Sequence, residues 1–237
     1  MIDIDLEKLL DSGAHFGHQS RRWNPKMAPY LFGVREGIHV FDLIKTREML
    51  QLALSELSKT TKEKKIILLV GTKKQVKEKI AQMGEKLNVP YVSERWLGGT
   101  LTNFNQIASS VRKLSDMKEK MAKGEYANLT KKERLLISRE IEKLEKTVGG
   151  LRTLSKKPDL IFIVDTHKEF SCVKEANMTG VPIVGITDSN ADPSSIDFPI
   201  PMNDDASKAL DYVLSLVEQA IIEGGEVKKN VKKSKKN

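Results

Sequence analysis

The chain has 237 residues, 39% of them hydrophobic and 30% charged, with 40 Lys and Arg against 32 Asp and Glu. That length and apolar content suffice for a full core and exclude wholesale disorder. The longest aliphatic runs, residues 66–70 and 160–164, fall far short of the roughly 18 apolar residues of a membrane span, so no membrane is expected. The opening Met1-Ile-Asp-Ile-Asp-Leu-Glu7 carries acids where a targeting peptide carries bases. A lone Cys172 offers neither an internal disulfide nor a cysteine metal cluster, and a reducing cytoplasm is the expected setting.

The charge is divided unevenly along the chain. Residues 1–105 hold 17 bases and 12 acids, 106–157 hold 14 and 7, 158–225 hold 3 and 12, and 226–237 hold 6 and 1. Such segregation suits a chain that turns a basic face to a polyanion and a different face elsewhere, although charged residues also simply solvate surfaces. The acidic stretch is expected to face another partner.

Residues 3–12 read as a short helix with Leu6, Leu9 and Leu10 on one face and Gly13 as its stop. Ile38-His-Val-Phe-Asp42 reads as a strand, and 43–58 as a helix. Lys65–Gly71 suits a strand covered on both faces; a helix over 73–87 and a strand at 90–95 follow. Strands at 159–165 and 182–188 alternate with helices at 168–179 and 205–222. The alternation predicts an α/β fold: a parallel sheet with right-handed crossovers and helices on both faces.

Residues 105–157 interrupt it with two long charged helices. In the first, Ile107, Val111, Leu114, Met117 and Met121 recur at helical spacing; in the second, Thr130 and Glu133 have capping-box spacing. The expectation is an inserted antiparallel helical hairpin of coiled-coil type, reaching roughly 30 Å at about 1.5 Å per residue; the alternative is two ordinary helices folded onto the core. The domains are then a globular unit from 1–104 and 158–225, the insertion at 105–157, and a flexible Lys-rich tail at 226–237.

Ligands on such sheets gather at the carboxyl ends of strands, here Gly71-Thr-Lys-Lys74, Asp165-Thr-His167 and Asp188-Ser-Asn-Ala-Asp192. The first loop suits a phosphate, but neither a Walker loop nor a dinucleotide fingerprint nor a nucleophile elbow occurs. No catalysis is expected; the rival is an α/β enzyme that binds a phosphosugar or nucleotide. His15 and His18, three apart, together with Asp188, Asp204 and Asp205 suggest a metal. Equally, the imidazoles would bond backbone and Asp204 would cap the last helix. Arg21-Arg-Trp-Asn-Pro-Lys26 and Arg95-Trp-Leu-Gly-Gly-Thr-Leu-Thr-Asn-Phe104 mix cations, aromatics and small residues, as RNA-facing loops do. Trp23, Trp96 and Phe104 would serve as core anchors on the other reading.

These segments resemble the bacterial-type small-subunit ribosomal protein two (S-two) family. The resemblance is carried by residues 13–27, 37–46, 94–103, 185–193 and 196–205, among them Gly13-Ala-His-Phe-Gly-His18 and Gly185-Ile-Thr-Asp-Ser-Asn-Ala-Asp-Pro193. It implies a non-enzymatic part of the small ribosomal subunit, with a Rossmann-like sheet and an inserted hairpin touching rRNA. It also implies a seat between head and body, docking of ribosomal protein S-one, neighbouring small-subunit proteins as partners, and no homo-oligomer. Matched onto this chain, the phosphate contacts are Arg21, Arg22, Lys26, Lys73, Lys74 and Arg95, followed by Asn103, Arg112 and Lys113. No cofactor is required; a metal, expected as zinc, would fall to His18, Asp188 and Asp205.

Overall fold

The computed structural model describes residues 2–234, with side chains described through Gly225. Asp5 starts α1 (Leu6–Asp11) by accepting from the amides of Glu7 and Lys8. β1 (Phe16–Gln19), β2 (Leu31–Arg35) and β3 (Ile38–Phe41) follow, and Asp42 caps α2 (Leu43–Lys62). Then come β4 (Ile67–Val70), α3 (Lys77–Leu87), β5 (Tyr91–Val92), α4 (Phe104–Ala122) and α5 (Lys131–Val148). The chain continues through β6 (Leu160–Val164), α6 (Phe170–Thr179), β7 (Ile183–Thr187), β8 (Phe198–Pro201) and α7 (Ser207–Ser234). The tail expected from 226 onward lies outside the residues whose side chains are described.

Five strands form the expected parallel sheet, in the order β5-β4-β6-β7-β8. The central strands are buried along their length, and alternate residues feed opposite cores. Ile67, Leu69, Leu160, Phe162, Val164, Val184 and Ile186 point to the side covered by α2, α3 and α7. Leu68, Val70, Ile161, Ile163 and Ile183 point to the side covered by α6 and the start of α4. Helices therefore lie on both faces, as the continuous aliphatic runs required.

Two features depart from the sequence reading. The strand at 38–42 forms, but in a separate antiparallel sheet, β1-β3-β2, whose two other strands went unforeseen. β1 and β2 lack an apolar alternation: β1 is nowhere fully buried and β2 is exposed over four of its five residues. β8 also went unread, because Pro199 and Pro201 argue against a strand; they are tolerated since β8 is a sheet edge paired only with β7.

α4 and α5 pack on each other through Leu114, Ile141 and Val148, flanked by Val111 and Leu144. The predicted capping box is present: the Thr130 hydroxyl accepts from the Glu133 amide while the Glu133 carboxylate accepts from the Thr130 amide. Lys113 pairs with Glu140 and Lys118 with Glu145 across the pair. Their base joins the sheet core through Ile107 and Leu151, whereas no residue between Leu114 and Ile141 is buried.

Candidate functional site

The sheet reverses direction of growth between β4 and β6: β5 is added on one side, β7 and β8 on the other. In open α/β sheets the crevice at such a point is the usual ligand seat. Here the chain fills it with its own charges. Lys73, just after β4, places Nζ 2.6 Å from an Asp204 carboxylate oxygen, 2.7 Å from Asp205 and 3.0 Å from Asp165. Asp165 follows β6, and Asp204 and Asp205 follow β8, so these strand ends converge on one lysine. Asp188 Oδ2 accepts from the Asp204 amide at 3.1 Å, and Oδ1 accepts from the Ser189 hydroxyl at 2.9 Å.

The antiparallel sheet covers this cluster. His18 on β1 sets Nδ1 3.0 Å from Asp188 Oδ1, and Ser189 Oγ accepts from the His18 amide at 2.7 Å. Gly17 permits that approach: a Cβ there would lie 2.8 Å from Ser189 Oγ and 3.2 Å from the His39 carbonyl. The hydrogen bond to Asp188 raises the His18 pKa against the opposing effect of burial. Burial, followed by the charges of Asp188 and Asp165, pushes Asp204 up to about 7, with Lys73 opposing. Burial works against the Lys73 charge, but Asp204, Asp205 and Asp165 outweigh it and hold its pKa above the usual lysine value.

Three potential metal ligands, His18, Asp188 and Asp204, bring their ligand atoms within 4.8 Å of one another. An imidazole with two carboxylates is a donor set suited to zinc. The expected set named Asp205 where this cluster has Asp204; the Asp205 carboxylate is turned to Lys73 and 59% exposed. The Asp204 carboxylate in turn accepts from Lys73. Each of these side chains already has a protein partner: Lys73 donates to Asp204, Ser189 to Asp188, and His18 Nδ1 to Asp188.

The remaining candidates separate into free and committed cations. Arg22, Lys74, Arg95 and Arg112 are exposed and, among the described residues, have no carboxylate partner; Arg21 bonds only Gln19. Lys26 pairs with Asp192 at 2.7 Å and also donates to Ser194, and Lys113 pairs with Glu140. Lys73, expected on a phosphate, is mostly buried and balances carboxylates instead. Asn103 is exposed at the start of α4.

Of the aromatics, Trp96 is buried and Phe104 packs against the second core, so both are anchors. Trp23 stacks on buried His39, with ring centroids 4.6 Å apart. β2 instead exposes Phe32 at 82%, and Arg35 at its end is exposed with no carboxylate partner among the described residues; the weak pattern of that strand hid both.

The 96–102 loop is held by Glu175 of α6, which the sequence reading missed. Its Oε1 accepts from Trp96 Nε1 at 3.1 Å and the Gly99 amide at 2.8 Å; Oε2 accepts from the Leu101 amide at 3.0 Å and the Thr102 amide at 3.2 Å. Burial alone would raise the Glu175 pKa, but these donors bring it below its ordinary value. Nothing local in the sequence marks Glu175, since its partners lie 73 to 79 residues away.

Glu175 exemplifies the acidic stretch as a whole. All 12 acids of residues 158–225 make a hydrogen bond or ion pair within the chain. Lys26, Lys73, Lys79 and Lys86 from the first half meet Asp192, Asp204, Asp211 and Glu218. Part of the negative charge of this stretch thus ties the second half of the chain to lysines of the first. Cys172 is buried and burial pushes its thiol pKa well up, which leaves it inert as a nucleophile. Among the described residues no helix is long and apolar enough to cross a membrane.

Comparison with known proteins agrees with this geometry. Residues 9–224 match the family model described as ribosomal protein S2. The small ribosomal subunit protein uS2 of Nitratiruptor sp. is 48% identical over 225 residues, covering 95% of this chain and 84% of that one. Its counterpart from Rhodospirillum centenum is 46% identical over 219 residues, 92% of this chain and 84% of the relative. That from Petrotoga mobilis is 47% identical over 226 residues, 95% and 78%. With a parallel sheet whose ligand crevice is filled from within and a match across nearly its whole length, the chain belongs to the ribosomal protein S2 family, a structural and non-enzymatic family of the small ribosomal subunit.

Proposed function

We propose that the chain positions rRNA in the small subunit by gripping its phosphate backbone. The observation that carries this reading is an asymmetry of pairing: the acids of residues 158–225 all bond within the chain, several of them to lysines of the first half, while Arg21, Arg22, Arg35, Lys74, Arg95 and Arg112 stay exposed without carboxylate partners among the described residues. Backbone contacts of this kind fix register and orientation rather than read sequence. Asn103 adds an exposed amide donor, and Phe32, 82% exposed, offers a ring on which a base could stack. Lys26 and Lys113 reach phosphate only by leaving Asp192 and Glu140; Lys73 has a structural role.

Family membership supports the finer seat, between head and body with help in docking ribosomal protein S-one. A zinc ion, as part of the same proposal, would be held by His18, Asp188 and Asp204, where it would neutralise buried carboxylate charge.

The test is a quantitative sedimentation profile of the tagged chain, repeated across salt. Co-sedimentation with small subunits is expected at stoichiometric level, and with six to ten phosphates engaged, rRNA affinity falls about 10³- to 10⁵-fold between roughly 50 and 200 mM salt. A chain that stays in the free fraction, or whose affinity ignores salt, overturns the proposal. The phosphosugar or nucleotide enzyme lacks its crevice, since Lys73 and its aspartates occupy it.

A further inference from the structure

One groove on the exposed part of α4 has a composition that backbone gripping does not require. Arg112, Lys113, Asp116 and Lys120 recur at three- and four-residue spacing and so share one side of the helix. With Tyr126 they line a groove of about 450 Å³, within the roughly 300–1,000 Å³ of sites that hold small molecules.

Tyr126 reaches back over α4 because of how the helix ends. The Gly124 amide donates to the Met121 carbonyl and the Glu125 amide to the Lys120 carbonyl, both at 3.1 Å, which is the Schellman pattern of bonds. Gly124 takes φ +73°, a value L side chains resist. The Ala127 amide then bonds the Gly124 carbonyl at 2.9 Å and turns the chain once more. Tyr126 also borders a smaller hollow of about 210 Å³ with Met121, Arg134 and Ile137. Its ring is only partly covered and, among the described residues, its hydroxyl has no hydrogen-bond partner. Arg112 and Lys120 likewise have no ion-pair partner there, whereas Lys113 is tied to Glu140.

A half-open aromatic ring sharing a groove with unpaired cations is suited to receive an unstacked base with its phosphates. We propose that this groove takes one unstacked nucleotide of RNA. The base lies on Tyr126, the flanking phosphates meet Arg112 and Lys120, and Asp116 accepts from an exocyclic amino group, which favours cytidine or adenosine over uridine. This rests on the rRNA-binding reading above and adds a ligand class to it.

The experiment uses the full chain and labelled single-stranded oligocytidine, oligouridine and an RNA duplex, read by anisotropy across a salt series. Tyr126→Ala is expected to weaken oligocytidine binding roughly 5- to 100-fold with the salt slope unchanged, and Tyr126→Phe to leave it intact. Arg112→Gln should lower the salt slope by about 1, and Asp116→Asn should narrow the gap between oligocytidine and oligouridine. These side chains are exposed or half-exposed, so thermal melts of the variants should match the parent and verify folding. If the parent binds RNA and sediments with small subunits while Tyr126→Ala binds equally well, or if the duplex is preferred, the groove is not a nucleotide site and the general reading survives. If the parent neither binds RNA nor sediments with small subunits, the general reading fails and this inference with it.

Discussion

The strand ends of the sheet and the outer part of α4 and α5 are both crowded with charge, and the fold treats them in opposite ways. At the strand ends Lys73, Asp165, Asp188 and Asp204 are withdrawn from water and satisfied by one another and by His18. Between Leu114 and Ile141 nothing is buried; the cross-pair salt bridges there, Lys113–Glu140 and Lys118–Glu145, leave Arg112 and Lys120 unpaired among the described residues. Charge in the first region is structural, because desolvated ions must be paired to be tolerated. In the second it is solvated, and available to a polyanion. A count of charges along a sequence does not separate these uses; burial and pairing do.

The comparison is most severely tested at Lys73. Replacing it with Met leaves Asp204, Asp165 and Asp205 without their shared cation, and removing one partner of a buried pair costs about 3–5 kcal/mol. Urea unfolding of Lys73→Met should show a loss of that size, and Asp204→Asn should recover part of it in the double variant. A loss below about 0.5 kcal/mol, the range of ordinary surface changes, would show that the cluster is not structural.

Glu175 tests the same principle at intermediate strength. Its carboxylate serves five donors in the 96–102 loop, including the Thr102 hydroxyl. Glu175→Ala should cost about 2 kcal/mol, within the roughly 1.5–3 kcal/mol of a single charged hydrogen bond and well below the sum over five, because the group is part-exposed. The sign of the pH dependence follows from the depressed folded pKa. The stabilisation is complete above the ordinary glutamate value of 4.5 and disappears as pH falls through the lower folded value. Stability curves of parent and variant should therefore be separated at pH 7 and converge in acid; curves that stay parallel would refute the carboxylate's role.

Much of this architecture was legible in the sequence, and the gaps have physical causes. The aliphatic runs at 66–70 and 160–164 announced buried parallel strands because every residue of such a strand is apolar. The Thr130–Glu133 capping box was readable because its partners are three residues apart. β8 was hidden by its prolines, and β1 and β2 by exposure that erases alternation. At the candidate sites, residue type showed which side chains bear charge but not which would meet. Lys73 and Asp204 are 131 residues apart, His18 and Asn190 172. Hence the sequence reading put Lys73 on a phosphate, where the fold sets it among carboxylates, and named Asp205 in a cluster where the fold brings Asp204 to His18 and Asp188. Arg22, Lys74, Arg95 and Arg112 stayed where sequence placed them, on the surface, because nothing distant competes for them.

The smallest stability effects, and the most diagnostic, belong to the exposed side of the comparison. Ile107 and Leu151 sit in the sheet core, so a cut at 106–155 would open it, whereas bridging Leu114 to Ile141 removes no fully buried residue. Deleting 115–140 should leave the melting of the sheet domain close to the parent's while weakening attachment to small subunits; undiminished attachment would remove that segment from RNA binding. Arg22→Gln and Arg95→Gln refine this to single charges. Each should change stability by no more than about 0.5 kcal/mol, since neither side chain has a partner to lose among the described residues. Each should nevertheless lower the salt slope of rRNA binding by about 1, because one phosphate contact accounts for one released counterion. A slope unchanged in both variants would mean that these arginines merely solvate the surface, and the division between structural and available charge would then hold only for the buried half.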